Sequence, residues 1–110
     1  MKKKAKKKSK VQLARISKRK GLIEWSRKVR DRDEKCVVCG GILHLNAHHI
    51  LPKENYKEFM FEVLNGITLC PTHHKFGKYS AHKNSVWFAC FLKENCLEQY
   101  QWAVENMGIA

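Results

Sequence analysis

The sequence predicts a small α+β domain stabilised by zinc, and three observations carry that prediction. Metal-binding side chains recur at short spacings between positions 36 and 74, two brief apolar stretches lie among them, and helical patterns flank them on both sides. The first twenty residues hold eleven of the 22 Lys and Arg and none of the ten acids. The rest therefore carry eleven basic against ten acidic residues, and almost all of the net charge of +12 sits in residues 1–20. The predicted organisation is a basic, disordered or partly helical extension over 1–20 and one domain over 21–110.

The extension comprises Lys2, Lys3, Lys4, Lys6, Lys7, Lys8, Lys10, Arg15, Lys18, Arg19 and Lys20, with too few apolar residues to bury. Such a run is either a solvated charge cluster or an arm that grips nucleic-acid phosphates. Grip of that kind weakens steeply with salt, because each phosphate contact releases counterions. No broad apolar face accompanies the charges, which argues against a membrane surface.

From Leu22 the pattern changes. Leu22, Ile23, Trp25 and Val29 fall near helical spacing and predict a helix over 21–33, its apolar side on the core. Cys36 and Cys39 follow with a two-residue spacer and Gly40 behind them, then Cys70 and His73 about thirty residues later with the same spacer. Two such pairs are a tetrahedral zinc arrangement, and Gly tolerates the sharp turn that faces both sulfurs to one ion. Five cysteines, an odd number, and a lysine-rich start without the apolar stretch of a signal peptide argue against disulfides and predict a non-secreted, cytoplasmic chain. Cys90 and Cys96 lie at no ligand spacing and read as core residues.

Leu43 to Ala47 reads as a strand, and Pro52 prevents its ladder from continuing past His48 and His49. Adjacent strand residues point to opposite faces, so both imidazoles can serve one site only at the strand's end. A polar loop with a helical turn near 56–61 leads to a second strand over Asn65 to Cys70. Pro71 and Thr72 then start a short helix ending near Gly77. On it the consecutive His73 and His74 point roughly 100° apart, so one can face the zinc while its neighbour faces the strand end. The geometry predicts two metal sites.

In these residues the chain resembles the HNH endonucleases: the pair Cys36 and Cys39, then His48, His49, Ile50 and Pro52, then Asn65, Gly66, Ile67, Leu69 and Cys70, then His73 and His74. The resemblance covers about 22–102, because the segment from Ser80 through Leu92 is similar to the tail of small phage-type members. It implies a ββα-metal core in which Cys36, Cys39, Cys70 and His73 hold structural zinc. His48 and His74 are then similar to the ligands of a catalytic divalent ion (Mg²⁺, Mn²⁺, Ni²⁺ or Zn²⁺), His49 to the general base, and Asn65 to the residue that orients base and loop. The implied activity is hydrolysis of DNA phosphodiesters, leaving 5′-phosphate and 3′-hydroxyl ends.

Two departures shape these expectations. Some relatives place a further His one helical turn after the last ligand; here Lys78 stands there, which predicts a two-histidine site completed by phosphate and water. His73 stands where most relatives have a fourth Cys. His82 is read either as binding a phosphate or helping the site, or equally as packing or capping the following helix, and stays outside the catalytic set. The rival reading is a catalytically silent zinc module that binds nucleic acid or serves a DNA-packaging complex of the terminase type, in the host cytoplasm if phage-encoded.

Asn84 or Ser85 is the predicted N-cap of a helix through Val86, Trp87, Cys90 and Phe91, and a last helix is predicted over 96–107. Their aromatics read as core. About ninety residues make one small domain with a limited interior, which increases its dependence on zinc.

Overall fold

The computed structural model describes residues 7–108. Helix α1 spans Lys10–Asp33, strands β1 and β2 span Asn46–His49 and Gly66–Leu69, and helices α2 and α3 span Ser85–Asn95 and Leu97–Asn106. The two strands form an antiparallel sheet in which Asn46 faces Leu69 and His49 faces Gly66. Lys2, Lys3, Lys4 and Lys6 lie outside the described residues.

α1 starts at Lys10, not near residue 21, so residues 10–20 are helix where the sequence predicts disorder or partial order. Ser9 explains the early start. Its side chain accepts from the Gln12 amide while the Gln12 side chain accepts from the Ser9 amide, a reciprocal cap that satisfies two otherwise orphan donors. The Lys, Arg, Ala, Leu and Gln that follow are good helix formers, and Gly21 alone does not stop a helix that packs downstream.

The sheet lies between two apolar layers. On one face Trp25 and Val29 of α1 are buried, and the Thr68 hydroxyl donates to the Val29 carbonyl. On the other, Ile67 and Leu69 pack with Cys36, Ala81, Phe88 and Leu92. Gly66 permits the first contact: a Cβ there would lie 2.4 Å from Val29 Cγ2 and 2.7 Å from Trp25 Cζ2. Arg32 and Gln99 both donate to the Gly66 carbonyl, at 2.7 Å each, tying α1 and α3 to the start of β2.

β1 begins three residues later than the sequence predicts and takes in both histidines. His44 has φ 55°, which breaks extended geometry before the ladder starts. The expected helical turn in the long loop appears as Lys57–Phe59, with a second turn at Val63–Asn65. Asn84 caps α2 by accepting from the Trp87 amide. Cys96 packs against the core, but Cys90, read as core, is exposed on α2. No helix among the described residues is long and apolar enough to cross a membrane.

Candidate metal centres and the adjoining cleft

The first centre is made by two turns, one tight and one wide. Gly40, at φ 76°, donates to the Cys36 carbonyl while the Cys36 amide donates to Gly41, and the loop turns Cys36 and Cys39 to one side. The Val37 amide donates to the Thr68 carbonyl, which docks that loop beside β2. From the other side Cys70 ends the strand, and the chain enters a wide turn over Thr72–Phe76, closed by a 2.7 Å bond from the Gly77 amide to the Thr72 carbonyl. Cys39 Sγ lies 3.7 Å from Cys70 Sγ, and His73 Nδ1 lies 3.3 Å from Cys70 Sγ and 3.9 Å from Cys36 Sγ. Bond lengths of a tetrahedral zinc give edges of about 3.8 Å for S–S and about 3.6 Å for S–N. The four side chains fit a zinc ion, with His73 inside the set.

Electrostatics at the thiols are uneven. Burial disfavours the Cys36 thiolate, but amide donors from Cys70, Cys39 and Val38 outweigh it and lower the pKa. At Cys39 the Gly41 amide lowers the pKa, yet burial and the neighbouring sulfurs of Cys36 and Cys70 raise it overall. Crowded thiolates of this kind are stabilised when a cation neutralises them.

The second centre lies on the other side of the same turn. His48, His74 and His82 each offer a ring nitrogen, all within 4.8 Å of one another, and Nε2 of His74 and His82 are 3.1 Å apart. Two nitrogens on one tetrahedral ion would be about 3.3 Å apart, so the three imidazoles fit a metal. Burial pushes His48 down to about 3, with His74 and His82 adding to the effect. Burial likewise pushes His74 down to about 4, helped by His82 and Lys75. Both rings are neutral at neutral pH, the form that ligates.

His82 is the residue that the sequence reading leaves out. It stands with His48 and His74 in a cluster of three ring nitrogens, where the sequence predicts two histidines completed by phosphate and water. Its position follows from backbone pairing: the Ala81 amide donates to the His73 carbonyl and the His82 amide to the His74 carbonyl, closing the loop from 74 to 82 on itself. Gly77 in the turn and the Asn84 cap just beyond were the available signals. Neither names a partner.

His49 alternates to the opposite face of β1. Its ring stacks on Trp25 with centroids 3.8 Å apart and planes 8° apart, and its Nε2 lies 2.9 Å from the Met60 carbonyl. With a proton on Nε2 donated to that carbonyl, Nδ1 keeps its lone pair. Burial lowers the His49 pKa, opposed by the Met60 carbonyl. Trp25 is fixed in turn by donating to the Glu62 carbonyl at 2.8 Å. The sequence marks Trp25 only as an apolar helix position.

Asn65 is fully buried. Its Oδ1 accepts from the Leu51 amide, and its Nδ2 donates to the Leu51 and Phe59 carbonyls. It therefore fixes the loop on both sides of the His49 to Met60 contact, without touching the His49 ring. His48, His49, His74 and His82 share one cleft of about 750 Å³, which continues toward α2 and α3.

A two-stranded sheet, a wide turn carrying candidate ligands on both sides, and an imidazole pair at the strand end define a metal-binding core of the ββα type. Residues 36–80 match the model of the HNH endonuclease family. The match takes in Cys36, Cys39, His48, His49, Asn65, Cys70, His73 and His74, so this segment is similar to an HNH endonuclease domain. No curated protein and no solved structure matches the chain.

Proposed function

We propose that this protein is a metal-dependent endonuclease that hydrolyses DNA phosphodiester bonds by nicking or double-strand cleavage, with a structural zinc at Cys36, Cys39, Cys70 and His73. The observation that carries the reading is a half-buried imidazole, His49, whose pKa burial lowers, lining the same cleft as three more imidazoles able to hold a cation. Nδ1 of His49 takes a proton from water as the resulting hydroxide attacks phosphorus in line, and the Met60 carbonyl steadies the imidazolium that forms. Trp25 and Asn65 act as positioning residues, one holding the ring's plane and the other the loop that supplies the carbonyl.

His48, His74 and His82 would hold the divalent ion. When bound, it supplies stabilisation of negative charge on the phosphate and the leaving oxygen. Attack by water with loss of the 3′-oxygen leaves 5′-phosphate and 3′-hydroxyl ends. Of Mg²⁺, Mn²⁺, Ni²⁺ and Zn²⁺, a set of imidazoles without a carboxylate suits Ni²⁺ and Zn²⁺ better than Mg²⁺.

DNA is the favoured substrate, gripped in part by the basic extension. Lys7, Lys8, Lys10, Arg15, Lys18, Arg19 and Lys20 are exposed, the last five along α1, where a helix presents them at fixed separations. The silent-module reading, with or without a terminase-type partner, shares the fold and lacks a use for His49. Plasmid nicking with each of the four ions, comparing the parent with His49→Ala at equal zinc content, separates the two. Loss of nicking by about 10²–10⁴-fold with zinc retained is expected of a general base; equal activity in both chains refutes the mechanism.

A further inference from the structure

The cleft beside the histidines is larger than one phosphate needs, and its two ends differ in chemistry. One end presents the four imidazoles, with Lys53, Lys75 and the carboxylate of Glu54 also lining the cleft. The other is apolar, walled by Leu51 and by Ala89, Leu92, Tyr100, Val104 and Met107 of α2, α3 and the residue after it. Val104 leaves 47% of its surface exposed. At about 750 Å³ the cleft falls within the size range of small-ligand sites, roughly 300–1,000 Å³.

We infer that the apolar end takes one unstacked nucleobase while its phosphate lies at the histidines, so that the substrate class is DNA with an unpaired nucleotide beside the scissile bond. The inference rests on the nuclease reading above and deepens it. A nucleotide joins an anionic phosphate to a flat, weakly polar base, and this cleft joins cation-binding groups to an apolar recess in the same way. A base inside an intact duplex is stacked and paired and cannot reach such a recess; extruding it costs free energy, least where it is already unpaired. Tyr100 supplies an aromatic surface, and base–aromatic stacking serves any base, so the preference is for structure over sequence. An apolar side chain of a partner protein is the competing occupant.

The test uses the full chain with zinc bound. Two oligonucleotide duplexes of one sequence are compared, one intact and one carrying a single unpaired 2-aminopurine. The expected result is nicking about tenfold faster or more beside the unpaired base, the size of one stacking contact, with a change in 2-aminopurine fluorescence when His49→Ala binds the same DNA. Ala89→Trp, at an exposed position, fills the recess and should erase both effects; Val104→Trp serves if that variant fails to fold.

Equal nicking of the two duplexes overturns the inference and leaves the nuclease reading intact. Absence of nicking with every ion, alongside preferential binding and a fluorescence change that Ala89→Trp abolishes, overturns the nuclease reading and upholds the recess. Displacement of the reading in favour of a protein partner would appear as no fluorescence change together with an apolar peptide, but not the unpaired oligonucleotide, protecting the recess from Trp-sensitive probes.

Discussion

The two ligand clusters share one turn and differ in everything that decides what a metal does. Cys36, Cys39, Cys70 and His73 draw on two chain segments about thirty residues apart and offer four ligands at tetrahedral edge lengths. His48, His74 and His82 offer three imidazoles on the wall of an open cleft. A closed thiolate set clamps chain segments together, whereas three ligands leave a coordination position for water or phosphate. The difference is set at one turn, where the consecutive residues His73 and His74 fall in different clusters.

The strongest way to break that contrast is to empty each cluster separately. Removing the clamp with a strong chelator, or by Cys36→Ser at its buried ligand, should unfold the domain, because structural zinc contributes about 10–16 kcal/mol in small zinc modules against a typical net stability of about 5–15 kcal/mol. His48→Ala and His74→Ala should leave the circular dichroism spectrum and the zinc content unchanged. A folded protein with free thiols in place of the clamp would mean that the packed layers around Ile67 and Leu69 suffice.

His82 sharpens the other half of the comparison. As a ligand, its removal should weaken divalent-ion binding by at least about a hundredfold, the upper range for groups that only support ligands. Calorimetric titration of zinc-loaded His82→Ala with Ni²⁺ measures this. Unchanged affinity would return the site to two histidines.

That cluster also shows how much the sequence discloses. The clamp is legible because its spacing is local: each two-residue pair announces one turn, and Gly40 confirms the first. The ββα order and the His48–His49 pair are legible for the same reason. His82 is not, since its place depends on backbone bonds from Ala81 and His82 to His73 and His74 across a loop without a distinctive pattern. The stack of Trp25 on His49 joins elements distant in sequence, and an apolar helix position does not reveal which ring it will cover. The helix over residues 10–20 starts at the capping exchange between Ser9 and Gln12, a signal that charge density conceals.

Gly66 connects the two regions, since β2 carries the clamp's Cys70 just beyond its end and is seated against Trp25 at its start. Gly66→Ala should destabilise the fold by about 1–3 kcal/mol, the usual cost of overpacking, because the added methyl meets Val29 and Trp25. Urea denaturation checks the value. A loss beyond that range would show that the strand cannot move away from α1 without disturbing the clamp.

The smallest effect belongs to the charges around His49 and tests whether that residue is the base. Burial, then the Met60 carbonyl acting against it, then Lys53, which lowers, and Glu54, which raises, set its pKa below the ordinary imidazole value. A base must be unprotonated, so a lowered pKa places the acid limb of the pH–rate profile below the ordinary value of about 6.5. Removing a lowering charge moves that limb up: Lys53→Ala should shift it toward higher pH. Removing a raising charge moves it down, so Glu54→Gln should shift it toward lower pH, by the lesser amount because Glu54 is exposed and water screens it. Opposite movements of one limb, with the zinc clamp unaffected, identify the titrating group as a neighbour of both side chains. A limb that neither substitution moves belongs to another group, and the assignment of His49 would then fail even if His49→Ala were inactive.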